Sequence, residues 1–343
     1  MSPADEAVSP ADEAVGPAGD PPGAAPAPRL VSTGSVVVDL PLLVPGLPAR
    51  GGDVLATTAG PAPGGGFNVV AAAARQGARV AVASPVGTGP NGDLVRAALR
   101  AEGVEVLTAP APGDTGVVVA LVEPDGERTF VTTIGAEGRP RAAELGAVAP
   151  RPGDLVYVSG YDLVYPDAAP VVGPWAAALP AGVRLLLDPS PLAGLIPAEV
   201  LDPVLARCDV LTVNAQEAAH LAGSEPGRED GRTGLCSRVP ARCAVLVRLG
   251  VAGCWVREPG GGGSLVPSRP VRPVDTTGAG DVHTGVLAAG LLAGTPLLEA
   301  VRRANAAAAI AVTRVGGGAA PTRAELEAVL GARDAGRRRR SGT

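Results

Sequence analysis

Short apolar segments alternate with alanine-rich segments along most of this chain, and this alternation constrains its fold more than any other feature. Residues 36–40, 80–83, 155–159, 185–187, 210–213 and 244–249 have the near-continuous apolar character of buried strands. Between them, residues 68–76, 93–102, 215–222, 281–292 and 297–314 have the composition of helices. Apolar strands separated by helices are typical of a mostly parallel sheet covered on both faces, so the pattern predicts an α/β fold.

Two segments interrupt the alternation, because they contain short strands and turns without an intervening helix. Residues 43–58 and 115–133 are of this kind, and EPDGER at 123–128 is typical of a hairpin turn. We expect these segments to form one small β-rich lid beside the main sheet, built from residues 41–60 and 113–134. Two stretches rich in glycine or polar residues, 223–239 and 260–263, are predicted to be surface loops.

Both ends of the chain differ in composition from the alternating part. The heptapeptide SPADEAV occurs at 2–8 and again at 9–15, and a Gly/Pro/Ala run follows it. Such a segment cannot bury enough apolar surface to order itself, so residues 1–28 are predicted to be a disordered tail. The arginine-rich end at 333–343 is predicted to be a second, basic tail. These limits leave one domain at 29–332.

All 29 basic residues of the 343-residue chain are arginine, and the lack of lysine excludes several classes of function. A Walker-A loop and a protein kinase need a lysine on the phosphates. Pyridoxal enzymes need a lysine amine. The two histidines, His220 and His283, form no H-E-x-x-H zinc motif. We interpret His220 as a surface residue at a helix end and His283 as a packing residue.

Charge and hydropathy also limit the partners and the compartment. The net charge of −5 argues against a protein that coats nucleic acid. No apolar run reaches the roughly 18 residues of a membrane span, and MSPADEAV lacks the basic and apolar regions of a secretory signal. We therefore expect a cytoplasmic protein with neither nucleic acid nor a membrane as partner. Its four cysteines are interpreted as reduced thiols, with a disulfide between Cys236 and Cys243 as the alternative.

The string D-T-T-G-A-G-D at residues 275–281 is the segment that best indicates chemistry. Gly278 and Gly280 allow the backbone to approach a ligand closely, and an apolar helix follows. The N–H groups of residues 278–281 would point outward at the start of that helix and form an anion hole. Asp281 in the first turn could accept a proton from an attacking hydroxyl group. The alternative is an aspartate that caps a helix after a glycine turn.

This string resembles the C-terminal signature of the ribokinase-type (PfkB) family of sugar and nucleoside kinases, and the resemblance extends over about residues 31–330 in the family's order. GSVVVD at 34–39 is similar to the family's first strand. The segment GGGFNVVAAAARQGARVAVASPVG at 64–87 resembles its N-terminal signature, and NAAAAIAVTRVGGG at 305–318 resembles the helix that closes the adenine pocket. The resemblance implies a three-layer α/β/α sandwich with a small β lid.

The same resemblance implies transfer of the γ-phosphoryl group of ATP to a hydroxyl of a sugar or nucleoside, with Asp281 as the general base. The amides of Gly278, Ala279 and Gly280 would hold the phosphoryl group. The implied substrate-binding residues are Asp39, Gly64, Gly65, Asn68 and Asp281. The implied nucleotide-binding residues are Asn214, Glu217, Arg248, Gly250, Gly278, Gly280 and Asn305.

Two cations and an oligomer are also implied by the resemblance. The segment Asn214-x-x-Glu217 resembles the family's N-x-x-E motif, in which Glu217 would order Mg²⁺ through water. Asp188, after the predicted strand 185–187, is a further candidate to orient that water. A K⁺ site is left open, although the family's final side-chain ligand falls on Ala320. Its ligands would be Asp275 and the carbonyls of Thr277, Ala311, Arg314 and Gly316. Lid strands in this family often pair across a dimer, so a homodimer through the lid is left open as well.

Several alternatives remain open in the sequence. The family's G-G-x-x-x-N pattern either has Pro63 at its first glycine here or lacks one residue. The G-x-G-x-x-G match at residues 87–92 has no acidic residue where a dinucleotide would need one, so a turn beside the sugar pocket is favoured. The three tyrosines, all between residues 157 and 165, either border the substrate cleft or pack in the core.

Three function classes follow from these observations. The first is the ATP-dependent kinase, and the second is a binding protein on the same fold that has lost catalysis. The third is a nicotinamide oxidoreductase, which the missing acidic residue disfavours. Fold analogy does not name the acceptor. The strings GSVVVD and AAAAIAVTR favour a pentose or a nucleoside.

Overall fold

The computed structural model describes residues 27–58, 60–224, 229–316 and 319–340. The tail predicted at 1–28 falls almost entirely outside these residues. The strands in chain order are β1 (Arg29–Ser32), β2 (Val36–Leu43), β3 (Ala62–Gly65), β4 (Arg79–Val82), β5 (Glu105–Val106), β6 (Val117–Val122), β7 (Arg128–Thr133), β8 (Leu155–Ser159), β9 (Arg184–Asp188), β10 (Val210–Asn214), β11 (Ala244–Arg248), β12 (Cys254–Arg257) and β13 (Gly263–Val266).

The α-helices alternate with many of these strands. They are α1 (Gly66–Arg75), α2 (Pro90–Ala101), α3 (Ala142–Ala147), α4 (Gly160–Val164), α5 (Ala169–Ala177), α6 (Ala198–Arg207), α7 (Ala215–Ala222), α8 (Glu229–Ser237), α9 (Ala279–Leu292), α10 (Leu297–Ala311) and α11 (Arg323–Arg340). The sequence predicts α1, α2, α7, α9 and α10 to within about three residues at each end.

Nine strands form the main sheet in the order β13-β12-β11-β10-β9-β8-β1-β4-β5. All neighbouring strands are parallel except at one edge, where β12 is antiparallel to both of its neighbours, β11 and β13. Alternate residues of the central strands face opposite layers. On β8, Tyr157 packs toward α1, α9 and α10, whereas Val156 and Val158 pack toward α5 and α6. The predicted parallel sheet between two helical layers is confirmed.

A second sheet of four strands, in the order β3-β2-β6-β7, forms the lid. β2 pairs in parallel with β6 and antiparallel with β3, and β6 forms a hairpin with β7. The predicted hairpin turn therefore lies between Val122 and Arg128, which are paired across it. Pro63 lies on β3, an edge strand, where a residue without an N–H group is tolerated.

The predicted boundary between the two sheets is wrong in one place. Residues 36–40 belong to the lid strand β2, and the strand of the main sheet is β1 (Arg29–Ser32). Leu43, the last residue of β2, forms an isolated bridge with Thr57. In the described part of residues 44–61 this bridge is the one pairing, and regular strand pairing resumes at Ala62. Both strands are apolar, so composition alone did not show which sheet each one joins.

Three predicted irregular segments contain regular structure. α8 occupies part of the polar stretch 223–239, because Leu235 is fully buried in the core and anchors the helix. α11 continues to Arg340, so residues 333–340 of the predicted basic tail are helical; arginine and alanine are good helix formers. β13 begins at Gly263, at the end of the predicted loop 260–263.

The G-x-G-x-x-G match at residues 87–92 forms a tight turn at the start of α2. A Cβ atom on Gly92 would overlap the carbonyl of Gly87. The carboxylate of Asp114 accepts the N–H groups of Asn91 and Gly92 at 3.2 and 2.9 Å. These contacts explain the glycines by backbone packing, in agreement with the interpretation as a turn.

The four cysteines are unpaired. None of the described helices is long and apolar enough to cross a membrane.

Candidate active site

The carboxyl ends of three neighbouring strands meet the first turn of α9 at one edge of the main sheet. β9, β10 and β11 are parallel neighbours and end at Asp188, Asn214 and Arg248. A Cβ atom placed on Gly280 would lie 3.6 Å from Arg248 Nη2, so the two elements are in contact. In open α/β sheets, ligands bind at this edge.

Asp281 is partly buried in the first turn of α9 and is joined to α1. Asn68 Nδ2 donates a hydrogen bond to Asp281 Oδ2 at 3.2 Å. Burial and the neighbouring Asp188 carboxylate raise the pKa of Asp281 to about 7, against the lowering effects of Asn68 and Arg248. A carboxylate whose pKa lies near neutral pH is suited to accept a proton from a hydroxyl group.

The turn before α9 has the backbone conformation that its glycines predict. Gly278 adopts φ +70°, a conformation that favours glycine. Its carbonyl accepts the first bond of the helix, at 2.8 Å, so the N–H groups of Gly280 and Asp281 precede the bonded part of the helix. The Ala279 N–H donates to the Thr276 carbonyl at 3.3 Å and is thus used within the turn. The helix dipole favours an anion at this end.

The guanidinium group of Arg248 lies between two buried carboxylates. Its Nη1 is 2.9 Å from Asp188 Oδ2 and donates to Thr212 Oγ1 at 2.7 Å, and its Nη2 is 3.4 Å from Glu217 Oε2. The Asp188 and Glu217 side chains are only 7% and 4% exposed, so water screens these ion pairs weakly. Burial opposes the charge on Arg248, but both carboxylates outweigh it and raise its pKa.

The turn after β9 and the helix α9 each fix one oxygen of the Asp188 carboxylate. Oδ1 accepts the Ser190 N–H at 3.1 Å, and Oδ2 accepts the Thr284 hydroxyl at 3.3 Å. Ser190 adopts φ +60°, a left-handed conformation that costs energy in a residue with a side chain and is concentrated at ligand sites. Asp188 therefore holds Arg248 from a rigid position.

The N-x-x-E motif forms a reciprocal cap at the start of α7. Asn214 Oδ1 accepts the Glu217 N–H at 2.8 Å, and Glu217 Oε2 accepts the Asn214 N–H at 2.7 Å. Burial and Asp188 raise the pKa of Glu217 to about 7, while Arg248 lowers it. Among the described residues, no group of three or more His, Cys, Asp or Glu could hold a metal ion.

The predicted substrate residues Asp39, Gly64 and Gly65 lie where the lid joins the main domain. A Cβ atom on Gly64 would overlap the Asp39 carboxylate, so glycine at this position is what lets the carboxylate lie across β3. Burial raises the pKa of Asp39 to about 6. Gly65, at φ +57°, turns the chain from β3 into α1 and so places Asn68.

Asn68 has a buried side-chain oxygen with no hydrogen-bond partner among the described residues. Its Nδ2 atom is bound to Asp281, and its Oδ1 atom is unpartnered. A buried acceptor without a partner carries a desolvation cost, which a ligand donor would remove. This oxygen therefore indicates where a substrate hydroxyl can bind.

The side chain of Asn305 makes its hydrogen bonds to groups within the protein. Its Oδ1 faces His283 Nε2 at 3.2 Å, and its Nδ2 donates to the Val266 carbonyl at 2.9 Å. Asn305 thus joins α9, α10 and β13. Burial and the charge of Arg248 lower the pKa of His283 to about 3, so this packed histidine is neutral. Gly250, at φ +58°, lies exposed after β11.

Asp275 is bound by protein donors on both carboxylate oxygens. Oδ1 accepts the Thr277 N–H at 2.8 Å and pairs with the Arg128 guanidinium of β7, and Oδ2 accepts the Gly316 N–H at 3.0 Å. Burial opposes its charge, but the two N–H donors and Arg128 outweigh it and hold the pKa of Asp275 below its usual range.

Some of the other residues predicted to bind K⁺ also make contacts within the protein. The carbonyl of Ala311, one of the predicted ligands, accepts the Arg314 N–H at 2.9 Å. Thr277 and Gly316 contact Asp275 through their N–H groups. The predicted set therefore converges on a loop that contains Asp275, and the Asp275 carboxylate and the Ala311 carbonyl are bonded to protein groups there.

Buried carboxylates fix three of the four places where the chain crosses between the domain and the lid; the fourth is the turn from β3 into α1. Asp162 accepts the hydroxyls of Thr33 and Ser35, each at 3.0 Å, in the crossing between β1 and β2. Glu137 accepts the N–H groups of Gly116 and Gly135 at 2.9 and 2.7 Å, where β6 begins and where the chain leaves β7. The lid is thus anchored at its base.

The tyrosines divide between the two interpretations that the sequence allows. Tyr157 is buried in the core, and Tyr165 is buried as well. Tyr161 is only partly buried, and its pKa is raised by burial and then by the negative charge of Asp281 and Asp39.

Sequence reasoning missed several residues that shape the site, and gave Asp188 only a minor part. These residues are Arg128, Glu137, Asp162, Thr212 and Thr284. Each acts on a partner that is distant in the sequence, so no local spacing marks it. A polar residue inside an otherwise apolar strand was the one signal available for Thr212.

The fold and the site together define a phosphotransferase of the ribokinase type. Residues 27–324 match the profile of the pfkB family of carbohydrate kinases. The uncharacterized sugar kinase YegV of Escherichia coli is 36% identical over 296 residues, which cover 85% of this chain and 91% of that protein.

Two solved structures share the fold. Ribokinase from Thermotoga maritima superposes with a TM-score of 0.76 at 23% identity and covers 88% of this chain and 99% of its own. Arabidopsis thaliana ribokinase, complexed with ribose and ATP, has a TM-score of 0.70 at 24% identity and covers 89% and 99%.

The chain belongs to the pfkB family of carbohydrate kinases. It is therefore an ATP-dependent sugar kinase, an enzyme that transfers a phosphoryl group to a hydroxyl group. The nicotinamide oxidoreductase alternative is wrong, and no feature of the described site favours the catalytically inactive alternative.

Proposed function

We propose that this kinase uses Asp281 as the general base for phosphorylation of a sugar hydroxyl. The observation that carries the proposal is the pairing of Asp281 with Asn68, whose own oxygen is buried and unpartnered. A sugar hydroxyl that donates to Asn68 Oδ1 would have Asp281 as its neighbour. The carboxylate accepts the hydroxyl proton as the oxygen attacks the γ-phosphorus of ATP, and ADP leaves.

The charge that develops on the transferred group meets donors from two elements. The amides of Gly278, Gly280 and Asp281 face it from the start of α9, and Ala279 supports the turn. Arg248 lies against Gly280 from β11 and supplies the positive charge that a lysine supplies in other phosphate sites. Because Asp188 and Glu217 hold Arg248, this charge is in place before the substrates bind.

The sugar is held on the lid side of Asp281. Asp39 has a half-buried carboxylate, and no described residue gives it a hydrogen bond. Two sugar hydroxyls that donate to one carboxylate would remove the cost of its burial. Gly64 leaves room for the Asp39 carboxylate beside β3, and Gly65 turns the chain toward Asn68.

The nucleotide enters at the opposite side, along the ends of β10 and β11. We assign Asn214, Gly250 and Asn305 to the walls of the nucleotide site. Mg²⁺ enters as part of the Mg–ATP substrate, because the ion usually keeps several waters and binds mainly through phosphates. Glu217, at the edge of this site, can order that water shell.

The acceptor, the location and the oligomer are part of the same proposal. We propose a small sugar, such as a pentose, as acceptor, and a cytoplasmic location, where ATP is available and thiols stay reduced. We also propose a homodimer through the lid. Supporting it, exposed apolar side chains lie on or beside the lid strands: Leu43, Phe130, Val131 and Ile134. The edge strand β7 is free to pair with a second copy.

The test is ADP release by the purified protein with Mg–ATP and a panel of pentoses, hexoses, sugar acids and nucleosides. We expect release that depends on one sugar class and that is lost in Asp281→Asn. Asp53→Asn, in the exposed part of the lid, serves as the matched control. ADP release that is equal with and without every acceptor would contradict the proposal.

A further inference from the structure

A salt bridge joins the lid to the loop that carries the anion hole. Arg128, the first residue of β7, pairs through Nη2 with Asp275 Oδ1, and its Nη1 donates to Thr276 Oγ1 at 3.2 Å. Asp275 also accepts the N–H groups of Thr277 and Gly316. One carboxylate thus connects the lid, the loop before α9 and the turn after α10.

The pair is largely removed from water. The Arg128 and Asp275 side chains are 16% and 15% exposed, so solvent and salt screen their attraction less than at an open surface. The planar guanidinium reaches two neighbouring residues at once, Asp275 and Thr276. An ammonium group is a point charge and would not match this forked contact.

A K⁺ ion does not fit the same carboxylate in this chain. Asp275 has a single negative charge, and Arg128 already balances it. Both of its oxygens have N–H partners, from Thr277 and Gly316. A second cation against Asp275 would be repelled by Arg128.

The position of Asp275 in the chain gives this contact a role in catalysis. Gly278 and Gly280, whose amides belong to the proposed anion hole, lie three and five positions after Asp275, and the bond of Asp275 to Thr277 fixes the start of this turn. When Arg128 docks, the charge of Asp275 is balanced and the turn is held in its described conformation.

We propose that Arg128 is a positioning residue that supplies, from the lid, the positive charge at Asp275, so that closure of the lid orders the anion hole and the kinase works without K⁺. This inference rests on the proposed function. It differs from that function because it concerns how the loop is held rather than which residue takes the proton.

The first test compares rates in KCl and in tetramethylammonium chloride at equal ionic strength. We expect wild-type kcat to be the same in both salts. Arg128→Met should lower kcat on the order of 10- to 100-fold while the KM values for ATP and sugar change little, because substrates are bound but the anion hole is less ordered. Arg128→Lys should recover part of the loss. Arg50→Met, in the exposed part of the lid, is the matched control and should behave as wild type.

A double-mutant cycle with Asp275→Asn tests the partner. If the two residues act through one contact, the double variant loses no more in kcat than the more damaged single variant. Losses that multiply would overturn the inference, as would a wild-type enzyme that K⁺ activates tenfold, or an Arg128→Met variant with full kcat.

A measurement without catalysis separates this inference from the proposed function. A bound ion raises the melting temperature, so about 100 mM KCl would stabilise the wild type relative to tetramethylammonium chloride if K⁺ were bound. We expect equal melting temperatures in the two salts, and a rise in KCl would overturn the inference. A panel without any acceptor-dependent ADP release would remove the proposed function but leave this result unchanged.

Discussion

Arg248 Nη1 and Asp188 Oδ2 are 2.9 Å apart at the ends of β11 and β9, with β10 between them. The pair crosses the strand end that carries Asn214, and Glu217 approaches Arg248 from the next helix. A single buried cation is thus shared by two carboxylates directly beneath the start of α9. This arrangement sets the electrostatics of Asp281, since Asp188 raises its pKa and Arg248 lowers it.

Removal of Arg248 should affect stability and pH dependence together. Arg248→Met leaves Asp188 and Glu217 buried without their cation, and breaking such a buried pair costs about 3–5 kcal/mol of unfolding free energy. Because Arg248 lowers the pKa of Asp281, the variant should also need a higher pH for activity. Denaturant unfolding and a pH–rate profile measure the two effects, with Arg242→Met on the exposed surface as control. An unchanged pH profile would refute the electrostatic role.

Activity of the wild type should rise with pH through the region near 7. Asp281 acts as a base only when deprotonated, and its pKa is raised to about 7. The logarithm of kcat/KM is therefore expected to increase with unit slope below that pH and to level off above it. Asp281→Asn should lose on the order of 10²–10⁴ in kcat and lose this pH dependence. A bent profile that persists in Asp281→Asn would assign the titration to another group.

Asn68 should contribute to both sugar binding and the state of Asp281. Asn68→Ala removes the unpartnered Oδ1 and the Nδ2 donor together. The KM for the sugar should rise about tenfold, since one hydrogen bond to a buried group is worth roughly 1–1.5 kcal/mol. The pH profile should also shift upward, because Asn68 lowers the pKa of Asp281. Steady-state kinetics over pH give both quantities, and a change in the KM for ATP alone would be inconsistent with this placement.

A charge on the exposed lid face should separate the proposed dimer. Phe130 is 55% exposed and lies on the edge strand β7. Phe130→Asp should convert a dimer into a monomer, because an apolar interface does not accommodate an unpaired charge. Sedimentation measures the state directly. A wild-type protein that is monomeric at micromolar concentration would exclude this dimer, and Leu265→Asp, on β13 away from the lid, serves as the control.

The local parts of this structure follow from the sequence. α7 begins and ends at Ala215 and Ala222 as predicted, because Asn214 and Glu217 form a cap within four residues and Gly223 ends the helix in a left-handed conformation. The D-T-T-G-A-G-D string likewise contains its own turn, and Gly278 has the positive φ that its position requires.

The long-range parts do not follow from the sequence. β2 is as apolar as a strand of the main sheet, and only its partners, β3 and β6, place it in the lid. Arg128 is 147 residues from Asp275, and Arg248 is 60 residues from Asp188. The resemblance names Arg248 as a nucleotide-binding residue, but no spacing in the sequence shows that Asp188 and Glu217 hold it.

The lid is fixed at its base by Asp162 and Glu137 and touches the loop of Asp275 at its far end. The eight residues from Arg128 to Gly135 span roughly 20 Å, so a small rotation at the base becomes a large displacement at the tip. Asp39 lies near the base, where the sugar is proposed to bind. A sugar that tilts the base would bring the tip of the lid onto the loop of Asp275. Phosphoryl transfer from ATP would then proceed only when an acceptor is bound. Water cannot tilt the base of the lid in this way, so it would be a poor substitute for the sugar as the phosphoryl acceptor.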